Sequence, residues 1–365
     1  MQVIADVVAA LDSFLWGLPL ILLLFGTHLF LTIRLRFPQR HIFKAIKLSF
    51  SRDAGAEGDV SQFGALTTAL AATIGTGNIV GVATAVALGG PGAVLWLWLT
   101  GVFGNSTKYA EGLLAVKYRI KTPSGDMAGG PMYVLERGLG WRWMGILFAA
   151  FTAVAAFGIG CMVQANSISA LALSTFQIPG WVTGLFLTIL TAVVILGGIK
   201  SIARVCGVLV PFMALTYILG CLYILVLHYQ PLPATIALIV RSAFNGHAAV
   251  GGFAGATLMA ALRFGVARGL FSNESGLGSA PIVAAAAQTR NPVRQALVSS
   301  TGTFWDTVVV CLMTGLVLVN SGDWTGGANG AELTKSAFSH IPVIGPAVLT
   351  IGLLTFVFST ILGWS

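Results

Sequence analysis

The stretch AATIGTGNIVGVATAVALGG, residues 71–90, is apolar enough to lie in a bilayer, yet it carries Gly75, Gly77 and Gly81 with Thr76 and Asn78 between them. Glycine in a helix interior costs about 1 kcal/mol relative to alanine, so a helix here is weakened at its own midpoint. Unwinding it frees backbone N–H and C=O groups, which hydrocarbon cannot satisfy and which survive only where something polar binds them. The start of the outer half-helix then offers N–H groups and a positive dipole end, suited to a carboxylate. The end of the inner half offers carbonyls, suited to a hard cation such as Na+. One broken turn can therefore hold an anion and a cation side by side, and an amino acid with Na+ fits it. Glycines at this spacing also serve close helix packing. The polar pair Thr76 and Asn78 at mid-span tips the reading toward a site.

The rest of the chain supports a membrane setting. Of its 365 residues, 56% are hydrophobic and only 9% charged, with a mean hydropathy of +0.89. Soluble domains are about a quarter charged. Apolar runs fall near 14–33, 62–89, 92–116, 143–172, 181–198, 205–228, 247–272, 296–319 and 343–365, predicting nine spans and an all-α polytopic protein. Uninterrupted runs argue against a β-barrel. The net charge of +8 comes from topology. Alternating the spans gathers 18 of the 20 basic residues on one face and leaves Arg241 and Lys335 opposite. The positive-inside bias makes that face cytoplasmic and puts the N-terminus outside, in a plasma (inner) membrane. No nucleic-acid partner is implied. Cys161, Cys206, Cys221 and Cys311 stand singly, and the histidines form no metal-ligand pattern.

Residues 34–60 read as a basic amphipathic stretch on the inner surface. The segment HYQPLPATIALIVRSAFNG, 228–246, is expected to be an external loop with a short amphipathic helix, and NSGDWTGGANGAELTKSAFSHIP, 320–342, another external loop. The chain stops inside the apolar run LTIGLLTFVFSTILGWS, and a fragment is expected. A second weak span lies at 247–272, interrupted by Gly251, Gly252 and Gly255. Broken helices at corresponding positions of two halves point to a transporter site.

The motifs GTGNIVGVATAVALGGPGAVLWLWLTGVFGNSTKYAEGLLAVKYR and GVARGLFSNESGLGSAP resemble the alanine or glycine:cation symporter family. After Gly89-Gly90-Pro91-Gly92-Ala93-Val94 comes Leu95-Trp96-Leu97-Trp98, where the family pattern is Phe-Trp-Met-Trp; both tryptophans are kept. The resemblance runs from about residue 15 to the last residue. It implies a leucine-transporter-like inverted-repeat fold in one domain, with an extra helix at 14–33, a first repeat at 62–228 and a partial second repeat at 247–365. It also implies symport of alanine or glycine with Na+ as coupling ion and no other cofactor, by a monomer in the lipid bilayer.

By the same resemblance, the Thr76 and Gly77 amides and the Asn78 side chain receive the substrate carboxylate. The carbonyls of Ala71 and Ile74 face sodium, and Ser359 and Thr360 complete its shell, with Thr360 also near the substrate ammonium. Gln164 reaches the substrate, although an interhelical hydrogen bond is the alternative. Trp364 walls a small side-chain pocket, and Gly252, Phe253 and Thr257 line the site from the seventh span. Asp306 is an intramembrane acid and a functional candidate, or a structural partner of Arg268 or Arg294. Asn273 and Glu274 read as a gate or helix cap, and Lys108 with Glu111 as a local ion pair. Two rivals remain. A channel-like pore for a small polar solute would want a continuous polar lining; a membrane enzyme would want a metal motif or a nucleophile dyad, and the chain carries neither.

Overall fold

The computed structural model of the protein describes residues 2–51, 53, 55–245 and 258–365. The described chain is helical throughout, apart from one antiparallel hairpin, β1 (Ile120–Lys121) with β2 (Met127–Ala128). In order, its helices are α1 (Gln2–Leu15), α2 (Leu18–Arg34), α3 (Ile42–Ser49), α4 (Gln62–Thr73), α5 (Val82–Gly89), α6 (Gly92–Lys117), α7 (Pro131–Leu139), α8 (Arg142–Ala155), α9 (Val163–Phe176) and α10 (Gly180–Ile195). Then come α11 (Gly198–Leu227), α12 (Leu232–Asn245), α13 (Leu258–Asn273), α14 (Ala280–Ala285), α15 (Pro292–Thr303), α16 (Leu312–Ser321), α17 (Gly330–Ser339) and α18 (Ile344–Trp364).

Four helical stretches are long and apolar enough to cross a membrane: Arg142–Ala170, Gly198–Leu227, Pro292–Ser321 and Ile344–Trp364. Counting two bent pairs as spans gives up to six, among the described residues. The nine runs read from sequence exceed this because several are short or polar. The helix α10 has 16 residues, while α6 carries Lys108 and Glu111 and α13 carries Arg263 and Arg268. The chain begins with a helix of its own, α1, separated from α2 at Gly17 ahead of Pro19. The extra helix expected at 14–33 is thus the second helix of the structure.

The decisive element is the pair α4 and α5. Ser61 caps α4 by accepting from the Gly64 amide at 3.0 Å. The helix runs to Thr73 and stops, because Ile74 turns extended (φ −77°, ψ 95°). Gly77–Gly81 resumes as a π-helical turn that leads into α5, and the two halves are bent by 55°. Gly90, at φ 71°, then reverses the chain into α6. A Cβ on Gly92 would come within 2.5 Å of the Ser242–Ala243 backbone, so α12 rests directly on the start of α6. Trp96 locks this contact by donating from Nε1 to the Ala243 carbonyl at 3.0 Å.

The core lies where α4, α5, α11, α16 and α18 meet, around the fully buried Tyr217, Phe338 and Phe356. The segment expected as an external loop at 320–342 is folded inward: Trp324, Leu333 and Phe338 are buried, and Phe338 stacks on Tyr217 at 6.1 Å. Its apolar side chains and the helix-forming run AELTKSAF outweigh the glycines that read as loop. By contrast, Phe151, Phe157 and Trp181 of α8–α10 are exposed, as lipid-facing side chains are.

The far end of α6 carries a second fixed point. The Arg119 guanidinium donates to four carbonyls: Ala285 at 3.0 Å, Ala287 at 2.7 Å, Glu57 at 3.1 Å and Thr289 at 3.0 Å. Beside it the Asp59 and Val60 amides both donate to the Ala286 carbonyl, and Arg294 holds Gln62 and Ser51. The approach to α4 is thereby laced to the segment 285–294. Burial lowers the Arg119 pKa from its ordinary value, an effect the nearby Glu57 and Asp59 oppose. Hydrogen bonds from charged groups contribute about 1.5–3 kcal/mol each when desolvated. Arg119 is only partly buried, so Arg119→Gln is expected to destabilise by about 2 kcal/mol in total. A thermal melt checks this, and an unchanged melting temperature would mean that water replaces the guanidinium without loss.

Candidate functional site

Around the break, the structure brings together groups from α4, α9 and α18. The Thr360 hydroxyl lies 3.2 Å from the Ile74 carbonyl and 2.9 Å from that of Phe356. Gly363, three residues on, lies against the Ala71–Ala72 backbone. Ala71, Ile74 and Thr360 therefore share one contact between α4 and α18. Gln164 approaches from α9. Its Nε2 donates to the Ile159 carbonyl at 3.3 Å, which leaves Oε1 buried with no hydrogen-bond partner. A Cβ built on Gly75 would stand 3.4 Å from that oxygen and 2.5 Å from the Thr360 hydroxyl. Trp364 packs on Gly160, four residues before Gln164, and its buried indole N–H is also unpartnered. Buried polar atoms are nearly always hydrogen-bonded; Gln164 Oε1 and the Trp364 indole N–H are two that are not.

Ser359, beside Thr360 on α18, is fully buried. Its hydroxyl faces Met213 of α11 at 3.2 Å and the Phe356 carbonyl at 2.9 Å. Thr360 and Ser359 thus meet at the Phe356 carbonyl, and Thr360 alone also reaches the Ile74 carbonyl. Asn78 is hydrogen-bonded within the protein. Its Oδ1 accepts from the Gly75 amide at 2.9 Å, and its Nδ2 donates to Asp306 Oδ1 at 2.7 Å. The same nitrogen lies 3.2 Å from the Asp306 main-chain carbonyl, so both of its N–H groups have partners within the protein. Neither of the bonds spanning the break, Gly75 N to Asn78 Oδ1 and Asn78 N to the Gly75 carbonyl, uses the amides of Thr76 and Gly77. Gly77 lies against Phe271 of α13. Gly252, Phe253 and Thr257 lie outside the described residues.

Asp306 pairs with neither arginine expected of it. Arg294 is held by Gln62 and Ser51, and Arg268 lines a cavity of about 440 Å3 with Asp12, Trp16 and Phe271. Arg263 lines the same cavity. Asn273 and Glu274 do finish a helix: Asn273 Oδ1 accepts from the Ser275 amide. The Lys108–Glu111 pair is present at 3.9 Å. Both residues also hold the turn after α13, Lys108 through the Glu274 carbonyl and Glu111 through the Gly276 and Gly278 amides.

Sequence reasoning missed that Asn78, Asp306 and the carbonyl that holds Gln164 each lie on a π-helical turn. These turns span Gly77–Gly81, Ala156–Met162 and Phe304–Cys311, and they hold Asn78, Ile159 and Asp306 respectively. Such turns are rare and gather at functional sites. The doubled glycine of FGIGCM is the one local hint. No group of three or more His, Cys, Asp or Glu side chains able to hold a metal occurs among the described residues.

Comparison with known proteins identifies relatives along the whole chain. The profile of the sodium:alanine symporter family matches residues 1–365. The chain is 52% identical over 371 residues to the sodium/alanine symporter AgcS of Methanococcus maripaludis, covering 99% of this chain and 81% of that protein. It is 56% identical over 366 residues to an uncharacterized transporter of Haemophilus influenzae, covering 99% and 80%. The probable sodium/glutamine symporter GlnT of Bacillus subtilis is 37% identical over 367 residues, covering 99% and 76%.

Proposed function

Because this chain belongs to the sodium:alanine symporter family, we propose that it imports small neutral amino acids, alanine or glycine, with Na+ by alternating access at the broken turn. The observation that carries the reading is the unpartnered Gln164 Oε1 set against the unwound Gly75 and the Thr360 hydroxyl. The substrate carboxylate takes the Thr76 and Gly77 amides at the positive end of the outer half-helix. The ammonium takes Gln164 Oε1. Na+ sits by the Ala71 and Ile74 carbonyls with the Thr360 hydroxyl, a neutral oxygen set suited to a hard monovalent cation. Trp364 bounds the side-chain pocket. An inverted-repeat, leucine-transporter-like arrangement acting as a monomer in the inner membrane, with the N-terminus outside, is part of the same proposal.

A relative carries the name of a glutamine symporter, so the side-chain pocket, and not the backbone turn, must decide between substrates. In proteoliposomes, an inward Na+ gradient should drive saturable uptake of labelled alanine. Unlabelled alanine on the far side should accelerate entry by counterflow. Glycine should compete, and glutamine should compete at least about tenfold more weakly, a difference of about 1.4 kcal/mol for a side chain that overfills the pocket. Non-saturating flux indifferent to Na+ would replace this reading with a pore.

A further inference from the structure

We propose that Asp306 is the positioning residue of the broken turn, a hydrogen-bond acceptor that fixes Asn78 and ties the turn to α13. The proposal rests on reading the break as the substrate site. Its basis is a set of five buried bonds. The amide of Asn78 has one accepting and one donating end. Its oxygen is committed to the Gly75 N–H at 2.9 Å, so its nitrogen must face away and find an acceptor. Reversing the amide would set two donors against each other. The acceptor is Asp306, through Oδ1 at 2.7 Å and the main-chain carbonyl at 3.2 Å. With Gly75 satisfied from inside the protein, the unwound turn keeps its shape while the next two amides stay available to a ligand.

The second carboxylate oxygen reaches the other side of the site. Asp306 Oδ2 accepts from Ser272 of α13 at 3.0 Å and from Thr307 at 2.6 Å. Ser272 follows Phe271, the residue that abuts Gly77. One side chain therefore joins the broken span to α13 at the level of the substrate amides. Asn78, Asp306 and Thr307 are fully buried, and Ser272 is nearly so. No Lys, Arg or His side chain forms an ion pair with Asp306 among the described residues. Each of its side-chain contacts uses a carboxylate oxygen as an acceptor, and none needs the negative charge. An asparagine meets the same demands: its oxygen accepts from Asn78, and its nitrogen donates to hydroxyls that rotate away, Ser272 toward Cys311 Sγ at 3.3 Å and Thr307 toward its own helix.

The test uses Asp306→Leu, Asp306→Asn and Ser272→Ala in the purified protein, with thermal melting to show that each is folded. Hydrogen–deuterium exchange of the peptide covering 71–82, without any amino acid present, reads the turn directly. Asp306→Leu is expected to exchange at least about tenfold faster there, as for loss of one buried hydrogen bond. Ser272→Ala should show a smaller gain, and Asp306→Asn should return exchange toward the parent rate. In proteoliposomes, alanine KM should rise about tenfold in Asp306→Leu and recover to within about threefold in Asp306→Asn, with the Na+ half-saturation little moved in both. A folded Asp306→Leu with parental exchange at 71–82 would overturn the proposal. So would an Asp306→Asn that loses Na+ dependence, since the carboxylate would then be a cation ligand. If the parent itself carries no alanine, the substrate reading fails, while the exchange result still decides the role of Asp306.

Discussion

A single methyl group at position 75 is expected to raise the alanine KM by about 10–100-fold. Gly75 is not in a left-handed conformation, so alanine fits its backbone and the effect is one of space. The new Cβ would stand 2.5 Å from the Thr360 hydroxyl and 3.4 Å from Gln164 Oε1. Overpacking of this kind costs about 1–3 kcal/mol, and here it falls on the two groups facing the proposed ligands. Gly184→Ala in α10 is the control: nothing lies within 4 Å of its Cβ position, and neither stability nor uptake should suffer. Alanine titrations of Na+-driven uptake, with melting temperatures beside them, separate a blocked site from a damaged fold. A Gly75→Ala protein with parental KM would show that the site lies elsewhere along the span.

The second large effect concerns the ion. Thr360→Val keeps the shape of the side chain and deletes its hydroxyl, which lies 3.2 Å from the Ile74 carbonyl. A cation held only by neutral oxygens loses one ligand, and Na+ half-saturation is expected to rise about tenfold, equivalent to about 1.4 kcal/mol. High Na+ should restore most of the alanine uptake. Since ion and substrate share one turn, the factor by which Na+ tightens alanine must equal that by which alanine tightens Na+, and both should shrink together in the variant. If instead Thr360→Val binds Na+ like the parent and loses alanine at every Na+ concentration, the hydroxyl serves the substrate ammonium.

Much of this was legible in the sequence where chemistry is local. Gly75-Thr76-Gly77-Asn78 announces a break because glycine and a polar amide are costly in a spanning helix, and the structure breaks at Ile74. The short helix expected in 228–246 is α12. What depends on distant pairing was not legible. Asn78 and Asp306 are 228 residues apart, and nothing near either residue tells which way the amide turns. Ser359 and Thr360 are equivalent in sequence; only the docking of α18 on α4 through Gly363 decides that Thr360 meets Ile74. The segment 320–342 carries loop-like glycines, yet it buries Trp324 and Phe338 because the bundle offers an apolar seat beside Tyr217.

The π-helical turns have one more consequence, for the tolerance of the chain to deletion. A π turn spaces its bond one residue wider than an α turn, so the helix leaving it is rotated by about 100° from a plain α continuation. Within Phe304–Cys311 this surplus residue separates two duties. Asp306, near its start, faces Asn78 and Ser272, while Thr314, beyond its end, meets the Tyr217 hydroxyl at 2.8 Å. Removing one residue between them would leave a continuous helix of almost the same length and hydropathy, but with the Thr314 face swung more than a quarter turn from Tyr217. In this helix, phase is set by a residue count, and a one-residue deletion inside 307–311 should be far more damaging than substitution at any single exposed position on the same helix.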